Sequence, residues 1–195
     1  SAEGRLRAAD IFLPEASVTA TEQILMAATL AEGTTVLRNA ACEPHVQDLA
    51  SMLNTMGADI AGAGTNTITV RGVEKLHGAT HVIGSDFAEA GSYLAIAAAT
   101  GGEVTVTGID PNHYRMIGHV YRRLGVELVR GTDSITVPGK QNRLIRPDAR
   151  GGIPVIDDGV WPQFPSDLMS VTIVLATQLR GTVLFFEKLY ESRMY

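Results

Sequence analysis

The chain has one cysteine, one tryptophan, no surplus of positive charge and no long apolar run. Each shortage excludes something. A lone Cys42 cannot form a disulfide within the chain, and such cysteine poverty fits a reducing compartment. With 16 basic against 21 acidic residues and a net charge of −5, there is no electrostatic footprint for nucleic acid. No apolar stretch approaches the roughly 20 residues of a membrane span. Arg5 and Arg7 precede no signal-peptide core. A soluble, cytoplasmic protein without membrane or nucleic-acid partners is the expectation. The glycines form neither a GxGxxG nor a GKS/GKT pattern, so no dinucleotide or Walker-type site is indicated. His77 and His81 are four apart but flank Gly78, which argues against a helix, and no metal site is expected. Hydrophobic residues at 45% and charged residues at 19% suffice for a buried core and are too apolar for disorder.

What is present is an internal repeat. One copy opens at Ser17-Val18-Thr19-Ala20-Thr21-Glu22 and runs through an Ala-rich segment to Gly33. It continues with Thr34-Thr35-Val36-Leu37, the segment Leu49 to Met56, Gly57-Ala58 and Thr67-Ile68-Thr69-Val70. A second opens at Ser85-Asp86 and passes Gly101-Gly102, Val104-Thr105-Val106, Met116 to Leu124, Gly125-Val126 and Ser134-Ile135-Thr136-Val137. The spacing between copies is 68 at Gly57 and Gly125 and 67 at Ile68 and Ile135. A third starts at Ser166-Asp167 and reaches Val183-Leu184-Phe185-Phe186. The chain ends soon afterwards, which reads as truncation within a repeat.

The unit reads as strand, helix, strand, helix, strand, strand. Ile11-Phe12-Leu13 is a strand stopped by Pro14. Ser17, Thr19 or Thr21 can cap the helix that follows, through a side-chain oxygen on free N–H groups. Ala and Leu favour that helix, and Gly33 marks its end. Thr34 to Leu37 is β-branched and reads as a strand. Pro44 near N1 starts the next helix, with Val46, Leu49, Ala50, Leu53 and Met56 at helical spacing. Ile60, Ile68 and Val70 mark two strands joined by the turn residues Gly62 to Asn66. The fold class is α/β (α+β), built of repeated βαβαββ units with mixed sheets and helices on one face. The boundary falls at Gly84-Ser85, giving residues 1–84 and 85–195. The segment Asn142 to Pro165, with four prolines, reads as irregular, and a loop that long is more often functional than idle.

Candidate sites compete with ordinary structural roles. Backbone N–H groups at the start Ser17-Val18-Thr19 can hold a phosphate, although most caps bind nothing. Asp167 can cap a helix, or take a proton from a hydroxyl if the approach through Trp161, Pro162 and Phe164 sets it at a cleft. Glu191 and Arg193 lie past an apolar strand, where ligands of such sheets gather. Arg193 there either pairs a carboxylate or phosphate bidentately or forms a solvated salt bridge. Cys42 reads as a small loop residue.

These motifs fall in one order: Ser17 to Glu22, Asn39-Ala40-Ala41-Cys42-Glu43-Pro44 with Asp48-Leu49, Gly57-Ala58, Phe164-Pro165-Ser166-Asp167, and Glu191-Ser192-Arg193. Over essentially its whole length the chain resembles the middle of the UDP-N-acetylglucosamine enolpyruvyl transferases. The resemblance implies a parent about twice as long, with two domains of three repeats each and substrates in the cleft between them. It implies transfer of the enolpyruvyl group of phosphoenolpyruvate to the sugar 3-hydroxyl with release of phosphate, a step of peptidoglycan synthesis, without a cofactor. By resemblance, residues 1–84 are the last repeat of one domain and 85–195 begin the other. Asp167 matches the proposed base, and Ser17 and Val18, with Thr19 beside them, match the segment at the UDP phosphates. Leu189 matches a backbone contact to the sugar nucleotide, and Arg193, with Glu191 beside it, an arginine near the phosphoenolpyruvate carboxylate. The chain departs from the family pattern at Glu15, Thr19, Cys42, Phe87 and Ser192. The alternatives are an enzyme acting on shikimate 3-phosphate and a sugar-nucleotide-binding paralogue without chemistry.

Overall fold

In a computed structural model, which describes residues 4–190 and Ser192, the chain divides into two compact units, Ser1–Gly84 and Ser85–Tyr195. The first contains β1 (Asp10–Phe12), α1 (Val18–Ala28), β2 (Thr34–Arg38), α2 (Pro44–Thr55), β3 (Asp59–Ala61) and β4 (Thr67–Arg71). Its four strands form one sheet in the order β1-β2-β4-β3. β1 and β2 are parallel, as the crossover through α1 demands, and the other pairings are antiparallel. Strand alternation sends Leu37, Ile68 and Val70 inward, where they join Leu25 of α1 and Val46, Ala50 and Leu53 of α2. Leu25, Leu37 and Ile68 are wholly buried, so cutting any of them to alanine costs about 2–5 kcal/mol.

The second unit contains α3 (Phe87–Thr100), β5 (Val104–Thr107), α4 (Arg115–Arg123), β6 (Val129–Arg130), β7 (Ser134–Val137), β8 (Val155–Asp157), α5 (Met169–Thr177) and β9 (Leu184–Phe186). β5, β7 and β6 form an antiparallel sheet in that order. β8 and β9 pair in parallel around α5, the same strand–helix–strand arrangement as β1-α1-β2. The core joins Leu94 and Ala98 of α3, Ile117 and Tyr121 of α4, Ile135 and Val137 of β7, and Leu168, Met169 and Leu175 around α5. The sequence pattern predicted no strand in 142–165. β8 forms there because Ile156, 1% exposed, faces the core between the half-exposed Val155 and Asp157.

Two equivalent glycines close the second helix of successive repeats. Gly57 has φ +97° and Gly125 φ +82°, a region that L side chains rarely enter. Their surroundings differ. A Cβ at Gly57 would meet the His77 ring at 3.1 Å, whereas one at Gly125 would lie 2.4 Å from the carbonyl oxygen of Leu144. Arg143 borders the second glycine: its backbone N–H donates to Gly125 O at 3.2 Å. Its guanidinium donates to the carbonyls of Ala98, at 3.0 Å, and Ala99. This closes the C-terminal end of α3 with a cation, where the helix dipole favours one.

Candidate functional site

The start of α1 is built by one hydroxyl. Ser17 is the N-cap, with extended φ and ψ, and its Oγ accepts from Ala20 N at 3.3 Å. Thr19 Oγ1 lies 3.5 Å from the same oxygen. Thr21, a third capping candidate, plays a different part. It is buried, donates to Ser17 O at 2.7 Å and accepts from Ala41 N at 3.0 Å, tying α1 to the segment before α2. Ser17 and Val18 are part-exposed and Thr19 is exposed. The first-turn N–H groups therefore point out of the helix end with hydroxyls beside them, an arrangement suited to an anion. Glu15 stands two residues ahead and its carbonyl accepts from Ser17 N at 2.8 Å.

Asp167 lies in the second unit, in a 3-10 turn, Ser166–Leu168, that leads into α5. Its neighbours are buried, Ser166 at 7% and Leu168 at 0% exposure, while Asp167 itself faces outward. The turn is anchored on both sides. Leu168 packs against α3 at Gly91, where a Cβ would come within 2.7 Å of Leu168 Cδ1. Gly91 O also accepts from the buried Tyr121 hydroxyl at 2.9 Å. Ser166 Oγ donates to Glu187 Oε1 at 3.1 Å, which draws the turn to the chain just beyond β9.

The approach to Asp167 is fixed by aromatic packing. Trp161 sits with its ring centroid 5.0 Å from Phe87 and 6.0 Å from His113, the latter edge-on. The Trp161–Pro162 peptide is cis. Phe87, 6% exposed, is thus a packing residue for this loop. Gly159 N donates to Phe164 O at 3.0 Å, folding residues 159–164 back on themselves.

Leu189 is 44% exposed, in the chain after β9. Glu191 and Arg193 lie outside the described residues. The structure therefore brings Asp167 and the post-β9 segment into one neighbourhood of the second unit, while Ser17, Val18 and Thr19 belong to the first. Cys42 behaves as a structural residue: burial and then the charge of Glu43 push its thiol up, away from the reactive thiolate. Among the described residues no group of three or more His, Cys, Asp or Glu could hold a metal ion.

Sequence reasoning missed a buried acidic group behind the turn. Asp158 is wholly buried, and its Oδ1 accepts from Lys188 N at 2.6 Å. Glu187 accepts from Ser166 Oγ and, at 3.3 Å, from Tyr190 N. The available signal was an Asp157-Asp158 pair next to Ile156, with Glu187 directly after an apolar strand. Asp157 itself is paired with the Lys188 ammonium.

The family described as EPSP synthase (3-phosphoshikimate 1-carboxyvinyltransferase) matches residues 1–194. A UDP-N-acetylglucosamine 1-carboxyvinyltransferase of Borrelia garinii subsp. bavariensis is 55% identical over 191 residues, 98% of this chain and 45% of that protein. A protein of the same name from Treponema denticola is 50% identical over the same share of each. The chain thus spans less than half the length of these relatives. Among solved structures, the enolpyruvyl transferase NikO from Streptomyces tendae matches with a TM-score of 0.73 and 24% identity, over 90% of this chain and 40% of that one. An EPSP synthase from Acinetobacter baumannii matches with a TM-score of 0.54 and 25% identity, over 70% of this chain and 32% of that one.

Proposed function

Because the chain belongs to the EPSP synthase family, we propose that it is part of an enzyme that moves the enolpyruvyl group of phosphoenolpyruvate onto UDP-N-acetylglucosamine. The sugar's 3-hydroxyl oxygen bonds to C2 of phosphoenolpyruvate, and the bond from C2 to the phosphate oxygen breaks, releasing phosphate. The observation that carries the choice of acceptor is the 55% identity, across nearly the whole chain, to proteins named for UDP-N-acetylglucosamine.

The chemistry needs an acceptor for the hydroxyl proton and donors for the phosphates and the carboxylate. Asp167 supplies the acceptor in this reading. It is an outward-facing carboxylate on a turn whose flanking residues are buried, so it is positioned without being desolvated. Ser17, Val18 and Thr19 hold the UDP phosphates at the N-terminus of α1. The Leu189 backbone contacts the sugar nucleotide, and Arg193, with Glu191 beside it, meets the phosphoenolpyruvate carboxylate. Residues 1–84 form the last repeat of one domain of the parent and 85–195 the first repeats of the second. The product enters peptidoglycan synthesis in the cytoplasm.

An acceptor competition tests this reading. Phosphate release by the parent protein with phosphoenolpyruvate is expected to depend on UDP-N-acetylglucosamine and to be insensitive to shikimate 3-phosphate. Release that depends on shikimate 3-phosphate instead refutes it.

A further inference from the structure

Two carboxyl groups behind the Asp167 turn each keep one buried oxygen without a conventional donor: Oδ2 of Asp158 and Oε2 of Glu187. Their other oxygens are accounted for. Asp158 Oδ1 has the Lys188 amide, and Glu187 Oε1 has Ser166 Oγ and the Tyr190 amide. The two side chains are neighbours: each directly follows the register pair Asp157–Phe186 of β8 and β9, and Asp158 Oδ1 holds the amide of the residue after Glu187. The oxygens left to meet are Oδ2 and Oε2, and both are acceptors when ionised. A bond between them requires a proton.

We propose that Asp158 and Glu187 share one proton, and that the protonated pair positions the Ser166–Asp167 turn. A buried unpaired carboxylate is costly, and two in contact more so, because their charges repel. One proton removes both penalties: it fills both orphan oxygens and leaves a single negative charge on the pair. The proton resides on Glu187. That group is held above its ordinary value first by burial and then by the Asp158 carboxyl beside it. Asp158, by contrast, is wholly buried and already accepts the Lys188 amide. The ammonium of Lys188, the residue next to Glu187, is committed to Asp157. Asp167 stands on the turn and Asp157 on β8, so the charges around the pair include two more carboxylates.

The pair reaches the site through one hydroxyl. Glu187 Oε1 fixes Ser166 Oγ, and Ser166 is covalently next to Asp167. Asp158 and Glu187 touch no substrate in this account. They are positioning residues, and their role in turnover rests on the assignment of Asp167 as the base. Ionising both would drive the end of β8 and the chain after β9 apart, and the turn would lose its anchor.

The test uses the parent protein with carboxyl-labelled glutamate, followed by NMR across pH, with the Glu187 signal assigned by its absence in Glu187→Gln. Glu187 is expected to titrate above the ordinary 4.5. It should fall back towards that value in Asp158→Asn, whose amide donates to the Glu187 carboxylate. A Glu187 midpoint at the ordinary value, or one that Asp158→Asn leaves unmoved, overturns the shared proton. The kinetic arm addresses positioning. Glu187→Ala should lower kcat at least tenfold, because small misplacements of reacting groups cost that much or more. Glu187→Gln should restore most of it, since its amide donates to Asp158 and its carbonyl accepts from Ser166. The wild-type kcat should fall as pH rises through the Glu187 midpoint, and the Gln variant should lack that limb. Full turnover in Glu187→Ala overturns the positioning role. A parent that shows the raised midpoint but transfers nothing to UDP-N-acetylglucosamine contradicts the proposed function and leaves the shared proton standing.

Discussion

The paired substitutions Gly57→Ala and Gly125→Ala separate backbone conformation from steric contact at equivalent points of the repeat. Both glycines sit at positive φ, +97° and +82°. A non-glycine residue in such a conformation costs about 1–3 kcal/mol. At Gly57 little more is added: the new Cβ meets the exposed His77 ring at 3.1 Å, and that side chain can swing away. At Gly125 the new Cβ would fall 2.4 Å from Leu144 O, 2.7 Å from its N and 2.9 Å from its C. No rotamer change relieves a clash with backbone. The segment at Leu144 must move, and it is held by the bond from Arg143 N to Gly125 O and by that from Ile145 N to Arg180 O at 2.9 Å. Overpacking of this kind adds a further 1–3 kcal/mol or so, about the range seen in crowded cores. Gly125→Ala should therefore destabilise the second unit by roughly 2–6 kcal/mol, about twice the effect of Gly57→Ala on the first. Urea unfolding reads this directly. Trp161, the chain's single tryptophan, reports on the second unit by fluorescence, and circular dichroism reports on both. Equal losses at the two positions, or a harmless Gly125→Ala, would refute the close approach of Leu144.

Four further expectations follow from the same contacts. Tyr121→Phe removes the buried hydrogen bond to Gly91 O and should lower stability by about 1 kcal/mol in the same urea titration. Ser17→Ala removes the N-cap of α1, costing about 1 kcal/mol of stability, and should weaken UDP-sugar binding by the parent in calorimetry. The Asp10 carboxyl is lowered by its hydrogen bond to Arg38, so its contribution is present above the ordinary 3.8 and lost as pH falls through the folded value. Asp10→Asn should flatten that acid limb of stability, and the effect should be small because the pair is exposed. Glu187 works in the opposite direction. Its raised value means stability present below 4.5 and lost as pH rises through the folded value, a slope that Glu187→Gln should remove.

The repeat made most of the architecture legible. Ala-rich helices after Ser17 and Ser85-Asp86, strands at Thr34–Leu37 and Val104–Val106, and glycines closing the second helices all follow from local chemistry that repeats along the chain. β8 was not legible, because three residues among prolines carry no alternation long enough to read, and only the parallel pairing with β9 makes them a strand. Helix ends also drifted. α1 stops at Ala28, with Thr29 as C-cap donating its N–H to Leu25 O, whereas the sequence pattern puts its end at Gly33. At the site, Ser17 was legible as a cap and Asp167 as a carboxylate after an unusual loop. The Asp158–Glu187–Ser166 group was not, since its members are separated in sequence and meet only when β8 and β9 pair. Phe87 is similar: its packing on Trp161 depends on a fold of the loop that spacing does not reveal.

The central claim is that Asp167 takes the proton of the sugar hydroxyl, and Asp167→Asn in the parent protein tests it most directly. Asp167 faces outward, so the substitution should leave stability within about 0.5 kcal/mol and leave UDP-N-acetylglucosamine binding in place. Phosphate release from phosphoenolpyruvate should fall by about 10²–10⁴-fold, the usual worth of a positioned general base. Turnover by the variant at the wild-type rate would contradict the account.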